Sequence, residues 1–161
     1  MARLRAHGIE APLPAGFGGR IFVRTAVGGE VTRPVAHFAT VPLPTGAGDF
    51  GGGVVTALGP TDVFAVLFEY GPESVGKQLF ARQGRPTGLR PEHFRPTVLR
   101  RGVQQQSGTQ WFFTEAGRPF TFYAVLGSHA RRRWLAPKVD GLLSSLVVHP
   151  TTVAVGGDGW N

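Results

Sequence analysis

The sequence predicts an α+β fold: an antiparallel β-sheet flanked by helices. Three observations carry this. Runs rich in β-branched and aromatic residues recur along the chain, from "RIFVRTA" to "RPFTFYAVLG". The two clearest runs are joined only by Ala116-Gly117, room for a hairpin but not for a parallel crossover. Helical periodicity occurs just twice, once between the strand clusters and once near the end, rather than after every strand.

Taken in order, "RIFVRTA" (Arg20 to Ala26) and "RPVAHFATV" (Arg33 to Val41) read as strands, with "VGGEVT" as the turn between them. "GGGVVTAL" can supply a further strand, and "VFAVLFEY" reads as a buried one. "GPESVGKQLFARQG" predicts a helix. Pro72 suits its first turn, Glu73 favours the positive end of its dipole, and Gly84 can close it. Its apolar face would be Val75, Leu79 and Phe80, with Gly76 allowing close approach to the sheet.

The three prolines of "RPTGLRPEHFRPTVLRRG" predict irregular chain. "TQWFFTE" and "RPFTFYAVLG" then form a hairpin, with Phe120, Phe122, Ala124 and Leu126 alternating against Thr121, Tyr123 and Val125 as in a half-buried strand. "APKVDGLLSSL" places Val139, Leu142, Leu143 and Leu146 on one helical face, with Pro137 in the first turn. "LVVHP" is a last short strand.

With 161 residues, 42% of them apolar and 17% charged, the chain suits one domain with a proper core. The expected organisation is an N-terminal extension over 1–11, a single α+β domain over 12–149, and a tail over 150–161 with little to hold it. There is no cysteine, which excludes disulfides, thiolate catalysis and cysteine-bound metal centres. The first residues carry charge but no apolar segment of the signal-peptide kind, and the longest apolar run, Val63 to Phe68, is too short to cross a bilayer. A cytoplasmic protein without a membrane span is the expectation.

The net charge is +7, and all but Lys77 and Lys138 of the seventeen basic residues are arginine. Such a balance attracts polyanions or acidic partners without saying which.

Four patterns carry candidate chemistry. In "TGAGDFGGGVV", Gly46, Gly48 and Gly51 spell G-x-G-x-x-G, and Glu69 stands where a ribose-binding acid would. However, Pro42 and Pro44 break the preceding strand, and Gly51 to Gly53 would fill the first helical turn at roughly 1 kcal/mol each. Thr45 to Gly53 therefore reads as an exposed connection between antiparallel strands, with "VVTAL" opening the second. "PESVG" approaches a nucleophile elbow, with Asp140 and His149 following Ser74 in hydrolase order. Pro72 cannot supply the strained glycine geometry, so Ser74 reads as a first-turn helix residue.

Histidines 7, 37, 93, 129 and 149 show no metal-binding spacing, and His37 reads as a half-buried strand residue. Last come the arginines at 82, 85, 90, 95, 100 and 101, and "HARRRW" with Arg131, Arg132, Arg133 and Trp134. Guanidinium groups beside an aromatic ring can grip phosphates and stack on bases, or anchor a protein interface.

"LPAGFGGRI", "RPFTFYAVLGS" and "KVDGLLSSLVV", with the order of elements over about residues 12–149, resemble the PsbP-like fold family. The resemblance implies an α/β/α sandwich used for docking on other proteins rather than for catalysis, and it carries over no functional residue. The expectation is a non-enzymatic partner-binding or assembly module without a cofactor, its candidate surface Arg90, Arg95, Arg131, Arg132, Arg133 and Trp134. The alternatives are a nucleic-acid or other polyanion binder using the arginine-rich segments at 82–101 and 131–133, and a nucleotide-binding enzyme using Gly46 to Gly53.

Overall fold

Residues 3–12 make a hairpin. β1 (Arg3–Ala6) and β2 (Ile9–Pro12) pair antiparallel across His7-Gly8, whose φ values of 52° and 74° give the tight turn that suits the strands' twist. The structure is a computed structural model and describes residues 2–23, 32–44 and 53–151. Ile9 and Ala11 are fully buried in the core cluster that also holds the last helix. The segment 1–11 is therefore not an extension before the domain. It helps to close the core.

The main sheet contains β3 (Gly18–Val23), β4 (Pro34–Ala39), β5 (Val63–Glu69), β6 (Ser107–Glu115) and β7 (Arg118–Leu126), in the order β3-β4-β5-β7-β6. Every pairing is antiparallel. β3 and β4 pair as expected, and their connection over 24–31 lies outside the described residues. β6 and β7 turn on Ala116 and Gly117, with φ of 53° and 73°.

Each residue of β7 is buried, which corrects the half-buried expectation. Phe120, Phe122, Ala124 and Leu126 pack on one side with Phe38 and Leu67, and Tyr123 and Val125 on the other with Phe64 and Val66.

α1 (Arg132–Ser145) covers the first side with Leu135, Ala136, Val139, Leu142 and Leu143. It begins five residues before Pro137, which sits inside the helix rather than in its first turn. β8 (Val147–Val148) then pairs with β2, completing a small sheet in the order β1-β2-β8. The second side has no helix among the described residues. Val54, Val55 and Leu58, with Val98, Leu99 and Val103 from irregular chain, cover it instead. The fold is α+β with two antiparallel sheets, but not the helix-flanked α/β/α sandwich expected.

Two local expectations fail for physical reasons. The helix over Pro72 to Gly84 is replaced by 3-10 turns at Pro72–Ser74 and Gln78–Phe80, broken at Gly76 with φ 90°. Only Phe80 of the supposed face is buried, while Val75 and Leu79 are exposed, so no apolar stripe drives a helix against the sheet. A side chain at Gly76 would meet nothing, so this glycine serves the backbone angle and not close packing.

"VVTAL" is no strand either. Val55–Ala57 is a 3-10 turn that lowers Val54, Val55 and Leu58 onto the sheet.

Two arginines bind these parts together. Arg118 gives both ends of its fork to Glu69 at 2.7 and 3.0 Å and donates to the carbonyls of His7 and His149, each at 3.0 Å. Arg85 donates to both oxygens of Glu115 and to the carbonyls of Leu143 and Leu146 at the end of α1. No described helix is long and apolar enough to cross a membrane.

Candidate functional site

Helix α1 starts in an unusual way. The chain tightens through the Arg131 N–H, which donates to both Ser128 O and Ser128 Oγ at 3.3 Å, and the Arg132 N–H to His129 O bond (3.1 Å); Arg131, at the N-cap, makes no side-chain cap. Its first turn holds no acidic residue, while Arg131, Arg132 and Arg133 crowd the positive end of the dipole. Cations there cost stability, typically about 0.3–1 kcal/mol each at an exposed site. Of the three, Arg132 is used by the fold, while Arg131 and Arg133 gain no carboxylate partner among the described residues.

Arg132 turns back to donate to the His129 carbonyl at 2.9 Å and is half-buried. Arg131 and Arg133 are exposed and have no carboxylate partner among the described residues. Trp134 is 65% exposed, more than any other large apolar side chain described. With Pro91, Ala130, Arg132 and Arg133 it lines an open groove. Burial, with Arg132 second, holds the His129 imidazole below its ordinary range, so it adds no charge to this face at neutral pH.

Pro91 opens the 3-10 turn Pro91–His93 of the irregular segment, which brings Arg90 to the same neighbourhood. Arg90 is paired with Glu92 at 3.0 Å and exposed, so its charge is offset locally. The other end of this turn faces a second groove, formed by His93, Arg95, Val98, Thr109, Gln110 and Trp111. There the Arg82 guanidinium lies 5.2 Å from the centre of the Trp111 ring, His93 meets that ring edge-on, and the indole N–H donates to Thr109 Oγ1 at 2.8 Å.

Arg95 lies on the Trp111 side of the turn. Sequence reasoning thus found the arginines and Trp134 but missed Trp111 and His93. A tryptophan in an alternating strand reads as core, and only strand order reveals that β6 is an edge.

The remaining candidates do not converge. Ser74 is buried on its 3-10 turn, Asp140 accepts the Leu89 N–H at 2.7 Å, and His149 pairs with Glu10 at 2.6 Å. No interaction among the described residues joins these three. His37 is fully buried, not half-buried, with its ring edge-on to Phe22 and Phe64. No group of three or more described His, Asp or Glu residues is placed to hold a metal ion.

The glycines at 46, 48 and 51 lie outside the described residues. The flanking strands β4 and β5 are antiparallel neighbours, and Glu69 is engaged by Arg118. No family model matches the chain, and no match was found among curated proteins or solved structures.

Proposed function

We propose that this protein is a non-catalytic docking module that binds an acidic face or segment of a partner protein through the start of α1. The observation that carries this is Trp134, 65% exposed on a helix turn whose arginines work against the helix itself. An exposed tryptophan that shares its groove with Arg132 and the exposed, unpaired Arg133 has the composition of an interface anchor. The PsbP-like resemblance implies the same kind of role, and the cytoplasm is its proposed setting.

Affinity capture from the source cells tests it, comparing wild type with Arg131→Ala/Arg133→Ala and Trp134→Ala at equal thermal stability. A stoichiometric acidic partner retained by wild type and lost by both variants is expected. Equal capture by all three, or no stoichiometric partner, refutes the reading.

Polyanion binding is the second reading, favoured by the same open indole face, on which a base can stack. It requires retention on heparin and single-stranded DNA that falls steeply with salt. For the nucleotide-enzyme reading the antiparallel β4–β5 pair gives no βαβ unit, so nicotinamide or flavin nucleotides are expected to leave the melting temperature unchanged.

A further inference from the structure

β6 lies at one edge of the main sheet, and the hydrogen bonds decide which of its backbone groups face out. Tyr70 N–H donates to Pro119 O, so the odd residues of β7 face β5 and the even ones face β6. The register then pairs those even residues with the odd residues of β6. The even residues of β6 must point outward, and two of them do so visibly. Gly108 exchanges bonds of 3.0 and 2.8 Å with Arg95, and Thr114 bonds to Arg82 O and Gly84 N–H at 2.8 and 2.7 Å.

Loops thus close both ends of the edge. Between them, the N–H and C=O groups of Gln110 and Phe112 have no backbone partner among the described residues.

We propose that the open centre of β6 receives an extended acidic segment of a partner protein, added as a further strand across Gln110 and Phe112. This rests on the docking reading above and supplies its mode of contact. The charge beside the gap selects the occupant. Arg95 and His93 line the adjoining groove, Arg82 covers Trp111, and no carboxylate among the described residues lines that groove. The carboxylates nearest in sequence are engaged, Glu92 by Arg90 and Glu115 by Arg85.

A peptide strand offers donors and acceptors alternately and satisfies all the open groups. Phosphates offer acceptors alone and would leave the two carbonyls unpaired. A second copy would bring its own Arg82 and Arg95 against these. Gly108 to Thr114 spans roughly 20 Å at about 3.3 Å per residue, room for a short strand between the bridges.

Amide hydrogen exchange on the full chain, read by NMR, tests the proposal. In the free protein Gln110 and Phe112 are expected to exchange at least about tenfold faster than Trp111 and Phe113. A pool of ten-residue peptides, with Asp or Glu alternating with apolar residues, is expected to slow both amides about tenfold or more. The same pool N-methylated at alternate residues keeps its charge and is expected to lose the effect.

Protection of both amides already present in the free protein, absent with the pool, or equal with the methylated pool overturns the proposal. So does protection that appears with single-stranded DNA instead, or with rising protein concentration alone. Shifts confined to Arg131 through Trp134 overturn strand addition and leave the docking reading standing. Protection of Gln110 and Phe112 that persists in Trp134→Ala supports strand addition and removes the start of α1 from the partner surface.

Discussion

Replacing Arg118 by methionine isolates a buried tie between the small sheet and the main one. The side chains of Arg118 and Glu69 are 5% and 7% exposed, so the pair is effectively out of water. Its guanidinium also supplies donors to the carbonyls of His7 and His149, which lie at the turn of the β1–β2 hairpin and just past β8. Methionine keeps most of the stem's packing and leaves a buried carboxylate and two carbonyls without their donor. Removing one partner of a buried pair costs about 3–5 kcal/mol. At about 2–4 °C per kcal/mol for a chain of this size, the melting temperature should fall by roughly 6–20 °C.

Urea unfolding of Arg118→Met, Glu69→Leu and the double variant gives the coupling directly. The double variant should be less destabilised than the sum of the singles by about 2 kcal/mol or more, because the orphaned charge is gone. Exchange at residues 3–12 should rise in Arg118→Met before global unfolding. A cost under about 1 kcal/mol for Arg118→Met, or singles that simply add, refutes the argument.

Gly127→Ala should cost about 3 kcal/mol or more by chemical denaturation, because the new Cβ would land on the Gly59 carbonyl oxygen. Ala116→Asn should raise stability by about 0.5–1 kcal/mol in the same assay, since Ala116 sits at φ 53° in a turn that favours Asn-Gly. Arg85→Lys keeps the charge but loses the planar fork that spans Glu115 and the end of α1, and should cost about 2 kcal/mol. Glu10 is held below its ordinary value of 4.5, first by the hydrogen bond from His149 and then by Arg5 and Arg3, against the opposing effect of burial. A lowered carboxyl contributes stability that is present above the ordinary value and lost as pH falls through the lowered one. Opening of the β1-β2-β8 sheet, followed by exchange, should therefore increase below about pH 4.5 in wild type and lose this dependence in Glu10→Gln.

Legibility in the sequence followed the range of the forces involved. The β6–β7 hairpin was readable because turn and alternation are local, and both survive in the fold. Val139, Leu142 and Leu143 were readable for the same reason, as one face of a helix; Leu146 is buried too, but just past the end of α1 in extended chain.

The start of α1 was not. Pro137 suits a first turn, yet here its missing N–H frees only the Arg133 carbonyl, on an exposed side where water can serve it. The segment from Pro72 to Gly84 carried helix signals at both ends, but Val75 and Leu79 found no surface to cover. Propensity without a packing partner gave two 3-10 turns. The candidate site divides likewise: exposed arginines beside Trp134 were visible as a cluster, while the Trp111 groove depends on β6 being an edge.

The arginines show why composition alone could not assign that surface. A guanidinium carries five donors in a fixed plane, so it can satisfy a carboxylate and several carbonyls at once. Arg85 and Arg118 do so, stitching the end of α1 and the small sheet to the β6–β7 hairpin. They count toward the +7 charge, yet each is paired with a carboxylate inside the fold. Arg131 and Arg133 are chemically identical and sit where they oppose the helix dipole. Neither has a carboxylate partner among the described residues to compensate. Arg85 and Arg118 are thus tied into the fold, whereas Arg131 and Arg133, exposed and without a carboxylate partner among the described residues, are the cations open to the acidic partner of the proposed docking reading.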